Sequence, residues 1–331
     1  MLTIISYHYV RDPIETRYPG IKALSIDKFK GQLDYIIKNY TACSLAQVIS
    51  AVYKKEKLPP NACLLTFDDG LIDHFTVVFP ILDERGIVGS FYPPAITIME
   101  NKMLDVHKIH FILASTDNYN KLIGNIFELI EPYRNEFDIP DENRLYEIFT
   151  TQFAKSSRYD RPEIVFIKNY LQRGLPVGCC SEIITNLFRY YVPDSEEILA
   201  KELYVTISQL RCMANHGMEI GGHGYTHGWL ETLTRSEQEK EIHLTVNLLE
   251  KIYGVRPSDW VMCYPHGSYN DTTIELLKKT GCSLGITIEQ GLVADFENPM
   301  RLNRLDTNEI PFSRNEGIGE WTKKHLEGNL E

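Results

Sequence analysis

Residues 61–70 read NACLLTFDDG, an apolar run that stops at two adjacent carboxylates and a glycine. A short apolar stretch bounded by turn residues reads as a buried strand. The two acids therefore stand where a strand ends. Upstream, LTIISY at 2–7 has the same character, and helical patterns follow at 26–39 and near 45–55. Downstream, 73–85 reads as a helix ended by Gly86, and IVGSFYPP at 87–94 as the next strand. Strand and helix in alternation predict an α/β fold, a parallel sheet or a (β/α) barrel.

From about 100 to 205 this rhythm breaks. LDVHKIHFILAS, YNKLIGNIFELIEPYRNEF and SEIITNLFRYYV carry helical periodicity and little β-branched alternation, which predicts a large helical insertion. The rhythm returns with a helix in ISQLRCMANHG, a strand and loop in MEIGGHGYTH, and a long helix ended by Gly254. WVMCYPHG, CSLGIT and RLNRLDT complete the strands. The expected organisation is a first barrel part at 1–99, the insertion at 100–205, a second barrel part at 206–312 and a peripheral tail at 313–331.

Composition narrows the function. The chain has 331 residues, 43% hydrophobic and 24% charged, and a formal net charge of -11. That balance argues against nucleic acid and anionic membrane surfaces, which need basic partners. No stretch approaches the ~18 apolar residues that span a bilayer, and MLTIISYHYV lacks the basic start and cleavage site of a signal peptide. Seven cysteines, odd in number and without a CxxC pair, suit free thiols in a reducing compartment. A cytoplasmic protein is the expectation. Nothing in the sequence sets an oligomeric state.

The chemistry-bearing residues lie where α/β barrels place theirs, at the C-terminal ends of strands. TFDDG at 66–70, GGHGYTH at 221–227 and YPHG at 264–267 each end a strand. Adjacent carboxylates at a strand end point in different directions, so one can hold a metal while the other faces substrate. A lone Asp-Asp-Gly is more often a turn. His223 and His227 lie four apart and, with a carboxylate, make a usual ligand set for zinc; three such ligands leave a position for water.

In order, LLTFDDG, GMEIGGHGYTH and YPHGSYN resemble the motifs of the polysaccharide deacetylase (NodB-homology, carbohydrate esterase family 4) family. The resemblance covers about 1–95 and 205–310. It implies a distorted (β/α) barrel and hydrolysis of an N-acetyl group. It further implies Asp68 as general base, with Asp69, His223 and His227 holding one divalent metal, zinc being the ion expected. The backbone N–H of His266 would help form an oxyanion hole.

Three departures stand out. Gly224 replaces the usual Ser or Thr of the second motif. CYPHG lacks the preceding arginine and carries His266 for tyrosine. No histidine follows 266 at a strand end, His325 lying in the tail. SYHYV at 6–10 resembles the Tyr-His segment of the poly-N-acetylglucosamine deacetylase branch, which makes His8 the candidate general acid, with His266 as its main rival and His107 a distant third. Arg304 in RLNRLDT is the candidate cation beside Asp68, the alternative being a structural ion pair. Trp229 could stack on a sugar ring, and Tyr92 and Tyr264 are expected to line the cleft. His107 and His110 could approach it from the insertion, although such histidines more often only pack.

The expected substrate is an N-acetylated sugar, in a glycan or a glycan precursor. Other readings are an amidohydrolase of formamides or cyclic ureides, and an inactive carbohydrate-binding barrel. An intact metal set and base argue against the last.

Overall fold

A computed structural model describes residues 1–151 and 161–328. Among these residues eight strands form one sheet: β1 (Leu2–Tyr7), β2 (Thr41–Ala42), β3 (Ala62–Asp68), β4 (Gly89–Tyr92), β5 (Glu219–Ile220), β6 (Trp260–Cys263), β7 (Cys282–Gln290) and β8 (Leu302–Asp306). Their order is β5-β4-β3-β1-β8-β7-β6, with the short β2 beside β3. Every pairing between them is parallel. The sheet curls until its outer strands meet at one parallel bridge, Gly222 with Met262. There Gly222 N–H donates to the Val261 carbonyl at 2.9 Å, and Cys263 N–H to that of Gly222 at 2.9 Å. It is an incomplete (β/α) barrel.

Strand period sorts each strand into an inner and an outer row. Leu2 and Ile4, Ala62 and Leu64, Val261 and Cys263, Leu284 and Ile286, and Leu302 share one buried cluster with Tyr92. Phe67, in the alternate row of β3, stacks on Tyr7 at 5.0 Å and Phe91 at 4.8 Å. Both faces are covered, so the strands read as continuous apolar runs. Continuing the inner row past the apolar residues reaches His8, Asp68 and Arg304.

The chain divides into two compact units. One comprises 1–12, 23–102 and 200–331 and holds the sheet. The other comprises 103–199 together with 13–22. Within it Tyr18 O–H donates to Asp194 at 2.6 Å, Arg17 pairs with the same carboxylate at 2.7 Å, and the Tyr18 ring meets Phe111 edge-on. His107 is fully buried in this helical unit, its ring centroid 5.8 Å from that of His110. It is a packed residue. Among the described residues no helix is long and apolar enough to cross a membrane.

The C-terminal segment corrects the expectation of a peripheral tail. Its helix, Glu320–Gly328, buries Thr322 and His325 completely. Tyr35 and Tyr40 hydroxyls both donate to Thr322 Oγ1 at 2.9 Å, and His325 Nδ1 lies 2.7 Å from Thr3 Oγ1. Burial, helped by the nearby N-terminal ammonium, pushes His325 down to about 4. The unfolded chain takes this proton near pH 6.5 and the native protein near 4, so stability falls as pH drops through that window. Urea midpoints between pH 7 and 4.5 should fall in the parent and fall less steeply in His325→Gln. Parallel slopes would remove His325 as a cause.

Candidate metal centre and active site

The inner rows of the strands turn polar at their C-terminal ends. Asp68 closes β3 and Arg304 lies on β8, and Arg304 Nη2 meets Asp68 Oδ2 at 2.6 Å with the side chains only 4% and 1% exposed. A buried pair of this kind is worth its desolvation only with close geometry, which it has. Burial alone would raise the Asp68 pKa, but Arg304, with His223 and His8, holds it down at about 2. The Cys263 thiol donates to the same carboxylate, 3.5 Å from Oδ1 and 3.6 Å from Oδ2. His8 Nε2 stands 3.8 Å from Asp68 Oδ2, its side chain 45% exposed.

Asp69 is held in left-handed backbone, φ 74°, with its N–H donating to the Tyr92 carbonyl at 3.1 Å. Its Oδ1 lies 3.5 Å from His223 Nε2 and 3.4 Å from His227 Nε2. His223 Nδ1 is 2.7 Å from the Cys263 carbonyl oxygen. A carbonyl can only accept, so Nδ1 carries a hydrogen, which leaves Nε2 as the nitrogen that would face a metal. Donors ~2.0–2.2 Å from a tetrahedral ion stand roughly 3.3–3.6 Å apart. The three residues therefore fit one small divalent cation by donor type and spacing. Asp68, His223 and Cys263 also converge, but Arg304 already fills the Asp68 side of that group, which makes it the poorer cation site.

The loop carrying His227 explains the glycine in the second motif. Gly224 adopts φ 71°, a conformation that Ser or Thr would take only under strain. A buried carboxylate anchors the loop instead. Glu241, on the helix Arg235–Tyr253, accepts from Tyr225 N–H at 2.8 Å, Thr226 N–H at 3.0 Å and Thr226 Oγ1 at 2.7 Å. From the other side, Ala95 and Ile96 N–H groups donate to the Gly224 and Tyr225 carbonyls at 3.0 and 2.9 Å. Gly221 completes the approach: a Cβ there would stand 2.5 Å from the Tyr92 ring.

The third motif places His266 at φ 55°. Its ring stacks on Trp229 at 4.4 Å with planes 6° apart, and meets His227 edge-on at 4.4 Å. One face of Trp229 is thus spent on His266, leaving at most the other for a sugar. Two expectations are corrected. Tyr264 is fully buried, donating its hydroxyl to the Met300 carbonyl at 3.0 Å and stacking on Tyr269. Tyr92 is equally buried, paired across the sheet with Asp68. Both are too apolar and too well packed to be drawn to the cleft wall. Glu241, Asp73 and His74 were not anticipated, and Cys263 stood out in the third motif without a role; Asp73 and His74, one turn beyond TFDDG in LIDHF, offered a local signal.

The polysaccharide deacetylase family model matches residues 184–285. Over that stretch the chain is similar to the polysaccharide deacetylase family. A curated relative is YxkH of Bacillus subtilis (strain 168), provisionally named a polysaccharide deacetylase, 29% identical over 102 residues. The match covers 31% of this chain and 36% of YxkH, about a third of that protein's length. Several solved structures resemble nearly the whole chain in fold. The Streptococcus pyogenes deacetylase PplD, determined in complex with acetate, has a TM-score of 0.55 at 17% identity, covering 99% of this chain and 97% of its own. A de-N-acetylase from Aggregatibacter actinomycetemcomitans gives 0.55 at 17%, covering 98% and 99%, and IcaB from Ammonifex degensii 0.54 at 16%, covering 92% and 91%. At these identities the likeness is one of fold.

Proposed function

We propose that this protein is a metal-dependent hydrolase that removes N-acetyl groups from an amino-sugar glycan or its precursor. The observation that carries the reading is a carboxylate held ionised by Arg304 directly beside a three-donor cation site, at the strand ends of a polysaccharide deacetylase barrel. Asp69, His223 and His227 would hold the ion, zinc by donor type. When bound, it would polarise the acetyl carbonyl and lower the pKa of a water.

The other steps belong to the chain. Asp68 takes the proton of the attacking water, and Arg304 keeps that carboxylate ionised and aimed. The His266 N–H donates to the oxyanion. His8 protonates the sugar nitrogen as the tetrahedral intermediate collapses, since an amine cannot leave as an anion. Acetate and the free amine depart.

Zinc-loaded protein incubated with N-acetylglucosamine oligosaccharides should release acetate and free amine in equal amounts. His8→Ala should lower acetamide hydrolysis by roughly 10²-fold, yet spare aryl acetates, whose leaving group needs no proton. No acetate from any N-acetylated sugar overturns the function, and equal losses on both substrates overturn the role of His8.

A further inference from the structure

We infer that Asp73 and His74 are positioning residues that clamp the backbone of residues 8–11 and so aim His8 at Asp68. The inference rests on the reading of His8 as the proton donor. β1 leaves the ladder at Tyr7, its last pair being with Phe67. Beyond it the Tyr9 carbonyl and Arg11 N–H are taken by Leu24, at 3.0 Å each. That leaves the His8 carbonyl and the Val10 N–H on the other side of the strand.

Asp73 and His74 take those two groups. His74 Nε2 lies 3.0 Å from the His8 carbonyl oxygen, so it carries the hydrogen and donates. Asp73 Oδ2 accepts from Val10 N–H at 3.1 Å and from Arg11 Nε at 2.7 Å. Both clamping residues are buried, at 4% and 1% exposure. The His74 ring is wedged against Phe67 and Phe91, each centroid 5.7 Å away. Burial pushes His74 down to about 4, so the ring donates as a neutral imidazole.

His8 itself has little to hold it. Its side chain is 45% exposed and 3.8 Å from Asp68, so core packing does not choose its direction and the backbone must. The stretch TFDDGLIDH therefore supplies the base, one metal ligand and the clamp on the proton donor from a single strand and turn. Misplacement of a reacting group by about 1 Å can cost ~10²-fold, which sets the scale expected.

The test compares His74→Phe, which keeps the ring and its aromatic contacts but cannot donate, with His74→Gln, whose amide can. His74→Phe should lower kcat for acetamide hydrolysis by ~10-fold or more, with zinc content, KM and aryl acetate hydrolysis close to the parent. His74→Gln should recover most of the loss. Adding His74→Phe to His8→Ala should cost nothing further. Asp73→Ala tests the other arm and should show the same substrate-selective loss, which also covers a failure of His74→Phe to fold. A parental rate in folded His74→Phe, equal losses on amide and ester, or losses that multiply in the double variant would each overturn the clamp alone. If His8→Ala keeps the parental amide rate, the assignment of His8 fails first and the clamp falls with it.

Discussion

Asp68→Asn should keep its divalent ion and lose ~10²–10⁴-fold of its turnover, the usual range for removing a general base. The amide has the same shape and still offers Arg304 an oxygen, so geometry is nearly conserved. What disappears is the charge and the ability to take a proton. With its pKa held at about 2, Asp68 is ionised throughout any neutral working range. The same substitution leaves Arg304, 4% exposed, without a counter-charge. Breaking a buried pair from one side typically costs about 3–5 kcal/mol, so the melting temperature should also fall. The decisive measurement is kcat per mole of folded, metal-bound protein. A variant within a few-fold of the parent would remove Asp68 as the base.

The elements of the barrel were legible because each carries its own local signal. LTIISY, ACLLTFD and the helix from Arg235 to Gly254 have a period and an end that can be read without neighbours. The set Asp69, His223 and His227 was legible only through the resemblance of the ordered motifs to a family; strand ends share one rim of a barrel, but that does not say which carboxylate of the pair joins the histidines. Side-chain direction is less readable. Tyr92 follows the inward row and Tyr264 the alternate one just past β6, and nothing local distinguishes a tyrosine that stops inside the core from one that reaches the cleft. Glu241 lies on a helix otherwise read for its apolar face, and its work is done for a loop 15 residues earlier. The segment 13–22 belongs with the helical unit because of Asp194, a partner 176 residues from Tyr18. Such pairings leave no periodic trace.

Removing the metal should abolish hydrolysis, and the centre should report its loss in stability as well as in rate. Asp69, His227 and His266 all hold left-handed backbone, at φ 74°, 63° and 55°. Strained positions of this kind cost about 1–3 kcal/mol each and persist where the surroundings fix them. Two of the three are proposed ligands, so a bound ion would help fix them. An ion that binds only the native state stabilises it by RT ln(1 + [L]/Kd), about 4 kcal/mol at 1,000 Kd. Zinc added to chelator-stripped protein should therefore raise the melting temperature by several degrees and restore acetate release together. In His223→Ala and Asp69→Ala, zinc at the same concentration should do neither. His266→Ala should still bind the ion, because His266 reaches the centre through His227 and not as a ligand. Full activity in stripped protein, with no metal found by elemental analysis, would sink the metal centre and leave Asp68 and Arg304 as a structural ion pair.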